Sequence, residues 1–337
     1  MKKFLAIFLM ALLIVLSGCG ENAKKEAIDN ILDVAWLKEH RSLRAIVVTG
    51  CLAQRAADEL TMPGVRLVIG TQRRGEVVEL LRQALSQDVA LIAVELLRQA
   101  PFEKLTVHAH EGHTRATMKI QEGCDRWCAY CIIPAARGKI RSKQPSDVLT
   151  EAAALARAGC HEIILTGIET AAYGRDSGGA FNLAGLMKQL NDVPGIERIG
   201  LGSLEPNLMR ERFLSEIAPL KAVLPHFHIS LQSGSSSVLK RMRRPYNADQ
   251  AMDFIRAVRE YFPQAMLTAD VIVGFPGETD ADFIDSLEFV KEIGFSKVHI
   301  FPYSKRKGTP AASMNGEVLP ETKKERVKKV LELSNDF

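Results

Sequence analysis

Gly123-Cys124-Asp125-Arg126-Trp127-Cys128-Ala129-Tyr130-Cys131 carries three cysteines at C-x3-C-x2-C spacing, followed by Ile132-Ile133-Pro134 and a basic run. A loop this short can bring three thiolates onto one metal cluster. Cysteine thiolates hold iron–sulfur clusters, and a cubane has four irons, so three ligands leave one iron open. An open coordination position marks a catalytic rather than a structural metal site. Zinc is the alternative. Zinc ribbons carry two C-x2-C pairs and no second pair exists here, but His108, His110 or His113 could supply a fourth ligand. An exposed lead-in to the next domain is the plainer use of those histidines.

Outward from the loop the text alternates between strand and helix. Met118 to Gln121 reads as the strand that delivers the loop, and Ser146 and Asp147 open a helix to about Ala158. Strands follow at Glu162 to Thr166, Ile196 to Leu204, His226 to Leu231, Met266 to Gly274 and Lys297 to Phe301. Helices lie between them at Phe181 to Leu190, Leu208 to Ile217, Ala248 to Glu260 and Asp280 to Ile293. This predicts six β/α units, an open relative of the (β/α)8 barrel, whose active sites lie at the C-terminal ends of the strands. Gly167, Ser203, Gln232 and Gly274 fall at those ends. Each has a bland use as well: turn glycines, a loop or cap serine, and a strand-end amide. Cys160, just before a strand, reads as packing.

Before the loop, Ala45 to Val48 and Val65 to Ile69 read as buried strands, and Ile28 to Glu39, Leu52 to Leu60 and Gly75 to Leu85 as helices. This is a smaller parallel α/β module. Val89 to Gln99 reads as a further helical stretch, broken at Pro101.

The cysteine loop, Thr166-Gly167, Ser203-Leu204-Glu205-Pro206, His228 to Gly234, Asp270 to Thr279 and Phe301-Pro302-Tyr303-Ser304 together resemble the radical S-adenosylmethionine (SAM) enzymes, and among them the methylthiotransferases. The resemblance runs from about residue 40 to residue 315. His113-Thr114-Arg115-Ala116 and the Ser-Leu-Glu-Pro stretch are most similar to the branch acting on threonylcarbamoyladenosine in tRNA.

The resemblance implies a [4Fe–4S] cluster on Cys124, Cys128 and Cys131, with SAM on the open iron. It implies reductive cleavage of SAM to a 5′-deoxyadenosyl radical, hydrogen removal from C2 of the modified adenine next to the anticodon, sulfur entry from an auxiliary site and methylation by a second SAM. Gly167, Ser203, Gln232 and Gly274 are then expected to line the SAM pocket. Arg137 and Arg141 are expected to contact tRNA. No catalytic side chain is assigned. An external electron donor, a monomer and a cytoplasmic setting go with this reading.

Val48 to Gln54 resembles the last cysteine motif of the family's N-terminal domain, which supplies three cysteines to a second [4Fe–4S] cluster. Here Cys51 alone matches. It is either a remaining ligand or a small buried residue at a strand end. The expectation is SAM cleavage with little methylthiolation, and a radical SAM enzyme needing one cluster is an alternative function.

The N-terminus points elsewhere. Lys2 and Lys3, an apolar run from Phe4 to Leu16 and Leu16-Ser17-Gly18-Cys19 read as a secretory leader with a lipobox. That would imply export and a lipid anchor at Cys19, and a non-catalytic lipoprotein is the other alternative. Clustered cysteines instead imply a reducing compartment. Residues 1 to about 27 are therefore expected to lie outside the enzyme's own architecture.

The expected organisation is a leader and linker (1–27), an incomplete methylthiotransferase N-terminal domain (28–100), a connector (101–115), a radical SAM domain (116–315) and a basic C-terminal helix (316–337). The family's small RNA-gripping β-barrel does not follow, which predicts reduced RNA affinity. With 337 residues, 47% hydrophobic and 25% charged, the composition is that of an ordinary globular chain. A net charge of +4 permits a polyanionic partner without requiring one.

Overall fold

Short runs of Val, Ile and Leu ended by glycine become strands in both parts of the chain. The computed structural model describes residues 11–16, 45–87, 89–97, 100–106 and 114–335. The lipobox with Cys19, the helix expected over Ile28 to Glu39, and His108, His110 and His113 lie outside the described residues. The chain divides into two units. One comprises Met1–Leu105, Ile132–Lys139 and Lys305–Gly308; the other comprises Thr106–Cys131, Ile140–Ser304 and Thr309–Phe337.

The first unit is a parallel sheet in the order β1 (Ala11–Leu16), β2 (Ala45–Gly50), β3 (Val65–Ile69), β4 (Leu91–Ala93). Part of the stretch read as a leader is thus an edge strand here. Every residue of β2 is buried, as a strand covered on both faces requires. Ile46 and Val48 pack with Leu52 and Leu60 on one side, while Val47 and Leu67 pack with Leu80 and Ala84 on the other. The helix α1 (Cys51–Arg55) supplies Leu52, a 3-10 turn at Ala57–Leu60 supplies Leu60, and α2 (Val77–Leu85) supplies Leu80 and Ala84. Only the first half of the expected Leu52 to Leu60 helix is α-helical; a 3-10 turn takes over at Ala57–Leu60. The helix expected over Val89 to Gln99 is not formed. Leu91–Ala93 instead pairs with Leu67–Ile69. A short apolar run has no period of its own to distinguish helix from strand, and the open edge of β3 decides it.

The second unit begins with β5 (Arg115–Lys119), β6 (Gln121–Glu122) and β7 (Arg141–Ser142), with α4 (Pro145–Arg157) after them. The helix α3 (Ile133–Arg137), between β6 and β7 in sequence, belongs to the first unit. Then come β8 (Glu162–Thr166), α5 (Leu183–Asn191), β9 (Arg198–Leu201), α6 (Glu211–Ile217) and β10 (His226–Gln232). The unit closes with α7 (Ser236–Arg241), α8 (Ala248–Tyr261), β11 (Met266–Val273), α9 (Asp280–Ile293), β12 (Lys297–Pro302) and α10 (Pro320–Asn335).

Two parallel sheets, β5-β8-β9 and β10-β11-β12, are linked by parallel bridges at Ile199–Val223 and Leu204–Ile229. Among the described residues the result is an open row of six parallel strands with no closed barrel, as the six β/α units predict. Alternation sets the core face: Phe227, Ile229 and Leu231 of β10 are buried while His226, His228 and Ser230 are more exposed. Thr279 caps α9 and accepts from the Asp282 N–H, and Asn247 does the same for α8 with Gln250, so both helices start where a capping box starts them. Cys160 is wholly buried in this core. Arg326 brings α10 onto the unit through Glu278 at 2.6 Å and Asp280 at 2.7 Å. Among the described residues no helix is long and apolar enough to cross a membrane.

Candidate metal centre

The loop with the three cysteines leaves the C-terminal end of β6, on the same rim as the C-terminal ends of β8 to β11. Gln121 fixes its start. The side-chain amide donates to the Glu122 carbonyl at 3.0 Å and the Gly123 carbonyl at 2.7 Å, and its oxygen accepts from the Glu169 N–H at 2.8 Å. A Cβ on Gly167 would lie 2.8 Å from Gln121 Cβ and 3.1 Å from its carbonyl oxygen. Glycine is needed there because Gln121 approaches so closely.

Two ion pairs flank the cysteines. At Cys124, the thiol donates to Glu169 Oε2 at 3.1 Å, while Arg126 holds the other oxygen. Arg175 lies 3.7 Å from the same carboxylate and 2.9 Å from Asp125. Burial, then the Glu169 charge, push the Cys124 thiol far up from its ordinary range. At Cys128, the guanidinium of Arg244 donates to Sγ at 3.4 Å, to Glu205 at 2.7 Å and to the Ser230 carbonyl at 2.9 Å. Tyr246 accepts from it at 2.7 Å, and Tyr130 lies 3.4 Å away. The Arg244 side chain is 2% exposed. Burial opposes its charge, but the phenols of Tyr130 and Tyr246, then Glu205 and Cys128, outweigh burial and hold it cationic. A third contact, Ala129 N–H to the Met242 carbonyl at 2.9 Å, ties the loop to the end of α7.

These donors fit a cluster better than a single ion. Among the described residues no three His, Cys, Asp or Glu side chains converge as one metal ion would need. A four-iron cluster makes no such demand, since each thiolate binds a different iron. Coordination deprotonates a thiol outright, so Cys124 would hold a cluster as its thiolate. The Thr170 hydroxyl, one residue past Glu169, is buried without a hydrogen-bond partner among the described residues. An orphan of this kind suits a site that a polar cofactor completes.

The other expected site residues are placed as follows. Gly167, Ser203, Gln232 and Gly274 stand at the ends of β8, β9, β10 and β11. Gln232 adopts φ 72°, next to an irregularity in the β10–β11 register. A left-handed conformation is uncommon for a residue with a Cβ and costs about 1–3 kcal/mol. Gly274 has φ 72°, its N–H donates to Glu278, and a Cβ there would meet the Lys323 side chain at 2.4 Å. Ser203 is exposed. Cys51 lies in the first unit, buried, and accepts from Arg137 Nε at 3.1 Å. Arg141 is buried in β7. Sequence reading missed Gln121, Glu169, Arg244 and Tyr246. The one local signal was Glu169, two residues beyond a strand-end glycine.

Comparison with known proteins gives the same picture. Residues 118–290 match the Radical SAM superfamily. The threonylcarbamoyladenosine tRNA methylthiotransferase MtaB of Bacillus subtilis (strain 168) is 41% identical over 295 residues, covering 87% of this chain and 65% of that protein. The tRNA-2-methylthio-N(6)-dimethylallyladenosine synthases of Thermobifida fusca (strain YX) and Desulfitobacterium hafniense (strain Y51) are 37% and 32% identical. They cover 95% and 96% of this chain, and 65% and 73% of those proteins. The chain thus spans 65% of the length of the first two, less than two thirds. In fold it is similar to the radical S-adenosylmethionine methyltransferase TsrM from Kitasatospora setae, solved with cobalamin and a [4Fe-4S] cluster. The TM-score is 0.63 at 13% identity, over 90% of this chain and 66% of that one.

Proposed function

This chain belongs to the methylthiotransferases of the radical SAM superfamily, and from that premise we propose that it is an enzyme that inserts sulfur and a methyl group into an adenosine of tRNA. Its cofactors are a [4Fe–4S] cluster on Cys124, Cys128 and Cys131, and SAM. The observation that carries this is the three-cysteine loop on the C-terminal rim of six parallel strands, flanked by two ion pairs. N6-threonylcarbamoyladenosine next to the anticodon is the substrate we favour, because the 41% identical relative bears that name. An external electron donor, a monomeric state and a cytoplasmic setting complete the reading.

When bound, the cluster and SAM would supply one-electron cleavage of the sulfonium to a carbon radical. The chain's own residues orient the loop. Gln121 fixes the start of the loop, and Arg244 holds Cys128 from the buried side. Gly167, Ser203, Gln232 and Gly274 are the proposed walls of the SAM pocket.

The second reading is a radical SAM enzyme with one cluster. It is favoured by Cys51, the one match to the family's N-terminal cysteine motif, which is buried and accepts from Arg137. Anaerobic reconstitution with iron counting tests both. About four irons in the parent and almost none in the triple Cys124→Ala, Cys128→Ala, Cys131→Ala variant support one cluster. About eight and four support two. No iron in either would leave the lipoprotein reading. 5′-Deoxyadenosine and methylthio-product assays then separate the chemistries.

A further inference from the structure

Trp127 stands between two cysteines of the loop with 70% of its surface exposed. Its neighbours are all held. Cys124 and Arg126 meet Glu169, Asp125 meets Arg175, and Cys128 meets Arg244. The contacts at Cys124, Arg126 and Cys128 hold the loop on either side of Trp127, which presents its indole to solvent. Beside it, Asp125 and Arg126 line a cleft of about 510 Å³ that also includes Arg175 and Leu208. A second cleft of about 460 Å³ shares Arg175 and Leu208 and continues to Arg210, Arg212 and Phe213. The first cleft is mainly polar, the second mainly apolar, and Arg126, Arg175, Arg210 and Arg212 line them. Asp125 and Glu216 pair with Arg175 and Arg212 at the surface, but exposed pairs of this kind are weak and exchange readily for phosphate.

We propose that this track is where a single-stranded stretch of the RNA substrate lies, with one base stacked on Trp127 and adjoining phosphates on Arg175, Arg210 and Arg212. The inference rests on the tRNA reading above. A single strand fits because its bases are free to stack on an aromatic face, as those of a duplex are not. The charge on the cleft matches a phosphate backbone, and Arg forks suit phosphate geometry.

The test is binding of a fluorescently labelled anticodon stem–loop RNA to the reconstituted full chain across a range of salt. Trp127→Ala is expected to weaken binding about tenfold at every salt concentration, leaving the salt slope alone. Trp127→Phe should restore most of it. Arg210→Gln with Arg212→Gln should flatten the slope of log K against log salt by about 1.4, at about 0.7 per single-strand phosphate. Lys291→Gln on α9 should change neither. Trp36 and Trp127 are the chain's two tryptophans, so Trp36→Phe leaves position 127 as sole reporter. RNA should quench its emission, a readout that stands even if Trp127→Ala loads iron poorly. Unchanged affinity, slope and emission in a chain that binds RNA would overturn the track. A parent with no RNA affinity would instead sink the tRNA reading, and the track with it.

Discussion

Cys124 and Cys128 sit four residues apart, and each adjoins an Arg–Glu pair, half-buried at Cys124 and buried at Cys128, but the pairs face them with opposite ends. Cys124 meets the carboxylate of Glu169, with Arg126 behind it. Cys128 meets the guanidinium of Arg244, with Glu205 behind it. A thiolate at Cys128 finds its donor already in place. A thiolate at Cys124 must displace a hydrogen bond and face a negative charge. The lesson is that one short motif can hold chemically unequal thiols, and that Glu169 and Arg244, outside the motif, set the inequality.

The largest effect should come from breaking the Cys128 corner. Arg244→Met leaves Glu205 buried and unpaired, and should cost about 3–5 kcal/mol in urea unfolding. Arg244→Met with Glu205→Gln removes both charges and should recover most of that. If the double variant is as unstable as the single, the ion pair is not what holds this corner. At the other corner, Gly167→Ala drives a methyl into Gln121 and its carbonyl, which should cost about 1–3 kcal/mol and slow iron uptake.

The reduction potential sharpens the contrast further. Hydrogen bonds to cluster sulfurs and local charge set that potential. Glu169→Gln removes a negative charge and should raise it; Arg244→Lys weakens a donor and should lower it. A tenfold change in the reduced-to-oxidised ratio, about 59 mV for one electron, is the scale to look for by potentiometry with electron paramagnetic resonance. Shifts of the same sign would erase the distinction.

The smallest effect is acid lability. Asp282 accepts from Ser235 at 2.7 Å, pairs with Arg241 at 3.2 Å and so pins α7, which leads to Arg244. Although burial opposes its charge, bonds from Ser237, Thr279 and Ser235 hold its carboxyl well below the ordinary range. The stabilisation is present above the unfolded carboxyl's pKa of about 3.9 and is lost as pH falls towards the depressed value. Hydrogen exchange should show α7 loosening below about pH 4 in the parent, while Asp282→Asn should be looser already at neutral pH and change less on acidification.

Much of the second unit was legible in sequence. Glu162–Thr166 and Asp280–Ile293 carry their own signals, an apolar run stopped by Gly167 and a Thr279 cap. The rim could be read too, because strand ends fix it. Leu91–Ala93 could not, since an edge partner decides it. Nor could the corners of the cysteine loop. Arg243 and Arg244 look alike in sequence, yet Arg243 takes φ 59° and stays exposed while Arg244 turns inward. The contacts that hold Arg244 inward lie at Glu205, at the Ser230 carbonyl and, 116 residues back, at Cys128.

That separation also sets an order of events on the ribosome. Once Cys128 is made, the chain must grow by 116 residues before Arg244 exists to meet it. At about 5–20 residues per second this takes roughly 6–23 s. For that interval the nascent chain displays the Cys128 thiol without the cation that will donate to it. Any cluster held by Cys124, Cys128 and Cys131 would gain its Arg244 neighbour only after β10 and α7 have been made.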